Sequence, residues 1–146
     1  MTTANLSPVP LMPDSSLYAD YFKGLRDGRL VAQTCTGCGA LQWPPRELCG
    51  HCQSSTFEPV DVPTEGLVYT YSVMYRAFHR AFADKLPYGV VVVEVADGVR
   101  FIGRYAGPDP ESIECGQRME AVFDDLGPDS GSVAWRRAED PAPVSP

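Results

Sequence analysis

The spacing of apolar residues changes twice along this chain, and each change marks an element boundary. Between Leu17 and Asp27, the residues Tyr18, Tyr21, Phe22 and Leu25 fall at i, i+3, i+4 and i+7, the stripe of a short amphipathic helix. Ser15 or Ser16 can cap its start and Gly28 its end. Its aromatic face has to cover either the segments that follow or another subunit. Short strands are expected next, at Leu30–Thr34, Ala40–Trp43 and Thr56–Val60, with Trp43 packing over the loops between them. From Val62 onward the period becomes two. Over Gly66–Tyr75, Leu67, Tyr69, Tyr71, Val73 and Tyr75 share one face, while Val68, Thr70, Ser72 and Met74 share the other. Tyr88–Ala96 is an almost unbroken valine run, the pattern of a strand buried on both faces. Asp97-Gly98 signals a tight hairpin into Val99–Tyr105, and two further strands are expected near Arg118–Asp124 and Ser132–Arg137, around a Gly127-Pro128-Asp129 turn. The fold class predicted is therefore mainly β: a short N-terminal helix (residues 17–29), a small ribbon (30–60) and a five-stranded closed barrel (61–137). An extended Pro-containing arm (1–16) precedes them, either a disordered tail or an arm that orders on a partner, and a flexible tail (138–146) follows.

Cysteine spacing gives the ribbon its chemistry. Cys35-Thr36-Gly37-Cys38 and Cys49-Gly50-His51-Cys52 are two Cys-x-x-Cys knuckles joined by a short loop, and four thiolates so arranged suit a tetrahedral divalent metal. Structural zinc is the expected occupant. Iron in a rubredoxin-like site and thiol–disulfide exchange at Cys-Gly-His-Cys are the rivals; the second leaves Cys35 and Cys38 without a role. A four-thiolate site has no open coordination position, so such a metal holds structure and performs no chemistry. His51 then belongs to the knuckle surface. The isolated Cys115, between Glu114 and Gly116, has acidic surroundings that disfavour a thiolate, and Asp109, Glu111 and Glu114 read as a solvated acidic loop.

Charge narrows the class of partner. The 146 residues carry 12 Lys and Arg against 19 Asp and Glu, a formal charge of −7, which four zinc-bound thiolates would lower to about −9. Phosphate backbones are repelled on average by such a field, so nucleic acid is a poor partner. No run approaches the roughly 20 apolar residues that span a bilayer. The first residues lack the basic flank and apolar segment of a signal peptide, and clustered cysteines fit a reducing compartment, so a cytoplasmic location without membrane attachment is expected.

These motifs in this order resemble the DUF35 family. The resemblance rests on Tyr21-Phe22, Cys35-x-x-Cys38-Gly39, the run Trp43-Pro44-Pro45-Arg46, Cys49-x-x-Cys52, Gly66-x-Val68, and Leu86-Pro87-Tyr88 ahead of the valine strand ending at Glu94, followed by Gly98 and by Gly103-Arg104. It spans roughly residues 17–137 and leaves the arm outside. It implies a rubredoxin-like zinc ribbon joined to an OB-fold. It also implies a non-catalytic subunit that binds and completes a thiolase-fold enzyme, such as a lipid-transfer-type thiolase or aldolase, or a MaoC-type hydratase. The shared substrate would be an acyl-CoA thioester, with steroid or bile-acid side-chain degradation as one setting.

The chain contains no nucleophile motif, phosphate-binding glycine loop or paired carboxylates of its own. One segment stands out as a ligand or partner loop, the connection between the first two long barrel strands. Arg76, Phe78, His79, Arg80, Phe82, Lys85 and Tyr88 interleave cations with aromatics, and Asp84 leaves the loop locally +2 in an acidic chain. Such a loop can meet the phosphates and adenine of CoA or the mouth of a partner's active site. The plainer reading has Phe78 and Phe82 capping the barrel with the cations solvated. Two alternatives of other classes stay open: a single-strand nucleic-acid-binding OB-fold, and a stand-alone acyl-CoA binding protein.

Overall fold

The computed structural model describes residues 16–125 and 131–138. The N-terminal arm, the Gly127-Pro128-Asp129 turn and all of the C-terminal tail beyond Ala138 lie outside the described residues. A 3-10 turn (Ser16–Tyr18) leads into helix α1 (Ala19–Arg26), which ends at Asp27 and Gly28. The residue at the N-cap of α1 is Tyr18, which makes no side-chain capping bond. The expected cap at Ser15 or Ser16 falls on Ser15 and on the Ser16 side chain, outside what is described. Gly28 takes φ +75°, the left-handed conformation that closes a helix with least strain when there is no Cβ.

Three strands form the ribbon: β1 (Leu30–Cys35), β2 (Leu41–Gln42) and β3 (Phe57–Val62). They lie antiparallel in the order β2-β1-β3, with Leu30 opposite Val62 and Cys35 opposite Phe57. Strand β2 is shorter than its apolar pattern suggested, since Pro44 and Pro45 follow Trp43 and offer no N–H to a ladder. The five remaining strands, β4 (Glu65–Met74), β5 (Tyr88–Ala96), β6 (Val99–Tyr105), β7 (Arg118–Asp125) and β8 (Gly131–Arg137), close into a barrel in the order β4-β5-β6-β8-β7. Only β6 and β8 pair in parallel. The expected class, a helix, a ribbon and a five-stranded closed barrel, is what the chain forms.

Closure depends on close backbone approach at two glycines. A Cβ on Gly66 would lie 2.1 Å from the Glu94 carbonyl oxygen, and one on Gly103 would lie 2.4 Å from that of Val133. Inside, Trp135, Phe101, Ile113, Met119, Val91 and Val93 are fully buried. The same core runs on through Leu25 of α1 and Leu30, Ala32 and Val62 of the ribbon. Ribbon and barrel therefore share one interior.

Three expectations need correction. The valine strand β5 is not buried on both faces: Gly89, Val91 and Val93 are buried, while Tyr88, Val90 and Val92 are half-exposed. A closed barrel has one inside, and no second layer among the described residues covers this outer wall. The single aromatic face of β4 is split by a bulge between Val68 and Thr70. Val68 points inward opposite Val93, whereas Tyr71 and Val73 take over the register of the inner row opposite Val91 and Gly89. Trp43 does not sit over the metal knuckles. Its ring lies 4.5 Å from Phe101 and 4.6 Å from Tyr21, between the helix and the barrel.

A four-thiolate metal centre and a basic-aromatic loop

The ribbon strands bring the four paired cysteines to one point. Cys35 ends β1, Cys38 and Cys52 face solvent, and Cys49 is buried. Their sulfurs all lie within 4.8 Å of one another, with Cys35 Sγ 3.5 Å from Cys52 Sγ and Cys38 Sγ 3.7 Å from Cys49 Sγ. Zinc–sulfur bonds of about 2.3 Å place tetrahedral sulfurs about 3.8 Å apart, so the cluster has the size of a zinc tetrathiolate. Each knuckle wraps its backbone around a sulfur. The Gly37 N–H points at Cys35 Sγ and the His51 N–H at Cys49 Sγ, both at 3.3 Å. The Gly39 N–H donates to the Cys35 carbonyl (2.8 Å) and the Gln53 N–H to the Cys49 carbonyl (3.0 Å), closing the two loops in the same way. The Thr36 hydroxyl ties the first knuckle to Thr56, the residue just ahead of β3 (2.6 Å).

The electrostatics suit an anion-stabilising cradle. Backbone N–H groups of Cys38 and Gly37 pull the Cys35 thiol down to about 6, and those of Cys52 and His51 pull Cys49 below the ordinary thiol range. The Ala40 N–H acts likewise on Cys38, but lost hydration and the neighbouring sulfurs outweigh it and push that thiol up to about 12. Four thiols this close cannot all ionise without a cation among them. The residues present thus fit a structural zinc ion, which would be held by Cys35, Cys38, Cys49 and Cys52 with no position left for substrate. His51 is exposed on the second knuckle and directs only its backbone at a sulfur.

The loop between β4 and β5 is partly assembled. Phe82 stacks on Tyr88 at 5.1 Å, and the Lys85 ammonium lies 5.8 Å from the Phe82 ring. The Arg76 guanidinium lies 5.8 Å from the Phe78 ring, and Phe78 itself is 75% exposed. Of the two phenylalanines, then, Phe82 is partly buried on Tyr88 and Phe78 stands open to solvent. His79 caps the 3-10 turn Arg80–Phe82, its Nδ1 accepting the Ala81 N–H at 3.1 Å. That bond occupies one ring nitrogen in local structure. The root of the loop is fixed by a bond the sequence reading missed, from the Tyr75 hydroxyl to the Glu111 carboxylate, which raises the Tyr75 pKa. Asp109-Pro110-Glu111-Ser112 carried a signal for it: a capping Asp, Pro at the first position and Glu in the first turn describe the 3-10 turn found at Pro110–Ser112. Cys115 is exposed and its thiol lies 3.7 Å from the Tyr69 carbonyl oxygen.

Residues 22–58 match the family described as the ChsH2 rubredoxin-like zinc ribbon domain, and residues 59–124 match the ChsH2 C-terminal OB-fold domain. The chain belongs to the DUF35 family. It is 36% identical over 95 residues to a DUF35 domain-containing scaffold protein of Methanocaldococcus jannaschii, covering 64% of this chain and 67% of that protein. It is 35% identical over 125 residues to a probable enoyl-CoA hydratase alpha subunit of Thermomonospora curvata, covering 84% of this chain but only 38% of the relative. The chain thus spans well under half the length of that curated relative. The benzoylsuccinyl-CoA thiolase subunit BbsA of Thauera aromatica is 27% identical over 112 residues, covering 74% of this chain and 75% of the subunit. A solved structure named Ltp2-ChsH2(DUF35) aldolase superposes with a TM-score of 0.79 at 30% identity, over 88% of this chain and 99% of that one. Among the described residues no helix is long and apolar enough to cross a membrane.

Proposed function

We propose that this DUF35 chain is a non-catalytic subunit that docks on and completes a thiolase-fold enzyme acting on an acyl-CoA thioester, with retro-aldol or thiolytic C–C cleavage as the reaction. The observation that carries the reading is the near-complete overlay on the Ltp2-ChsH2(DUF35) aldolase chain. The names of the thiolase subunit BbsA and the hydratase alpha subunit extend the support to CoA thioesters. The chemistry of the centre agrees with it, since four thiolates close the coordination sphere of zinc and leave it a structural role. In this reading the partner supplies nucleophile and base. The loop carrying Arg76, Phe78, His79, Arg80, Phe82, Lys85 and Tyr88 faces that partner or the CoA it holds, with His79 as a turn cap and not a base. An enoyl-CoA hydratase is the second kind of partner the relatives' names suggest, a MaoC-type enzyme being the form the family resemblance implies, and steroid or bile-acid side chains are one acyl class.

The test is co-expression with a lipid-transfer-type aldolase from the same organism, size exclusion of the mixture, and acyl-CoA cleavage assayed with and without this chain. Co-elution with activity that depends on this subunit is the expected result. Separate elution with unchanged partner activity overturns the reading.

A further inference from the structure

The two knuckles are not anchored alike. The first grows out of a strand, with Cys35 the last residue of β1 and its N–H bonded to the Ala40 carbonyl at 2.9 Å. The second follows residues 43–48, which belong to no strand. Two side chains take the place of the missing ladder. Gln33 on β1 meets Arg46 as a strand neighbour would, its Oε1 accepting the Arg46 N–H at 2.9 Å and its Nε2 donating to the Arg46 carbonyl at 3.2 Å. Gln42 on β2 accepts the Gly50 N–H on Oε1 at 3.0 Å, while its Nε2 donates to the Leu48 carbonyl and to Gln33 Oε1, both at 3.4 Å. Gly50 follows Cys49 directly, so this chain of bonds ends one residue from a sulfur. Turning either amide round would set N–H against N–H, so both orientations are fixed by their partners.

We infer that Gln33 and Gln42 act together as a clamp that positions the second knuckle for metal, and that they govern how fast the centre releases it. This rests on the zinc reading above. A hydrogen-bonded shell outside the ligands commonly accounts for about 10- to 100-fold in metal affinity. The clamp should appear mainly in the release rate, because the half-site at Cys49 and Cys52 is the one without a strand behind it.

Zinc content of the purified full-length chain is measured first. Release into excess chelator is then followed with a colorimetric zinc indicator for wild type, Q33M, Q42M and the double variant, which keep side-chain length and remove the amide. Barrel melting in saturating zinc is monitored alongside. Q42M should release zinc about tenfold faster, Q33M should be faster by a smaller factor, and the double variant should stay close to Q42M because the two amides are bonded in series. Melting in saturating zinc should not move by more than about 2 °C, which a general loss of stability would not allow. Q42E retains the acceptor for Gly50 but cannot donate to Leu48, so it should release at an intermediate rate; it is the second variant if Q42M folds poorly. Release within twofold of wild type in Q42E and in whichever methionine variants fold overturns the clamp. So does faster release that only follows a lower barrel melting point, or a double variant whose effect is the product of the singles. A wild-type chain without metal overturns the zinc reading and the clamp with it.

Discussion

Trp43→Ala should separate two events that are one in the native chain. Trp43 leaves the ribbon just after β2 and packs its ring against both Tyr21 and Phe101, at 4.6 and 4.5 Å, beside the direct Tyr21–Phe101 stack at 5.9 Å and with Tyr18 edge-on at 6.2 Å. It is thus the direct aromatic link between the metal-bearing segment and the buried wall of the barrel. Full truncation of a buried Trp costs about 3–5 kcal/mol. Trp43 is half-buried, and Tyr18 at the helix start can settle into part of the space. We therefore expect about 2–3 kcal/mol, including the aromatic pair contributions of about 0.5–1.5 kcal/mol each. For a folded unit of this size that is a drop of about 10 °C in Tm. The substitution also leaves Trp135, which is fully buried in the barrel, as the sole fluorophore of its type. In wild type, zinc release on heating and loss of tryptophan fluorescence should follow one curve. In the variant, zinc should leave at the lower temperature while Trp135 still reports a folded barrel. Coincident curves with a shift under about 3 °C would refute the claim that Trp43 couples the two halves.

Three further outcomes are expected. Burial pushes the Tyr21 hydroxyl up to about 12, with the nearby Tyr18 adding to the shift. A folded-state pKa raised above the unfolded value near 10 contributes stability that is complete below about pH 10 and lost as pH climbs toward 12, by about 2 kcal/mol; melting of zinc-loaded protein across that range should show the loss in wild type and not in Tyr21→Phe, and equal slopes count against it. Arg104 grips Asp124 with two hydrogen bonds at 3.0 and 3.2 Å, where the Asp124 side chain is 7% exposed; Arg104→Met strands that carboxylate and should cost about 2–3 kcal/mol in a denaturant titration, an effect that under 1 kcal/mol would contradict. Arg76→Glu and Phe78→Ala alter exposed groups, so each should leave Tm within about 2 °C while weakening capture of the aldolase partner in a pull-down; undiminished capture by both would remove this loop from the interface.

Most of the architecture was legible because the determinants are local. Period-two runs and the Asp97-Gly98 turn fixed the barrel strands to within a residue or two, and Cys-x-x-Cys spacing fixed the centre. The failures come from tertiary closure. The valines of β5 look two-sided to any local pattern, yet only a barrel decides that Val91 points in and Val92 out. The bulge beside Tyr69 cannot be heard in a sequence that alternates cleanly through it, because the extra residue answers to the register of β5. Trp43 lies between two knuckles in the chain but is claimed by the aromatics of α1 and by Phe101, which arrives some sixty positions later. The Gln33–Gln42 pair carries no motif, as its meaning depends on a sheet that sets positions 33 and 42 side by side.

The outward groups of the β4–β5 end bear on how such a chain can act. His79, the residue most open to a catalytic reading, accepts the Ala81 N–H on its Nδ1 and so trades proton abstraction at that nitrogen for turn geometry. Phe82 and Tyr88 use their faces on each other. Tyr75 is committed to Glu111. The large apolar side chain in this loop that stays most open is Phe78, at 75% exposure with a guanidinium beside it, and on the neighbouring wall Tyr69 carries Arg100 over its ring at 3.8 Å. Aromatic rings paired with arginine on an open surface are the composition of protein interfaces, where desolvation by a partner strengthens both the apolar and the cation–π contribution. With His79 and Tyr75 committed to local hydrogen bonds, the exposed ring of Phe78 and its arginine neighbour are the groups at this end that the proposed docking would use.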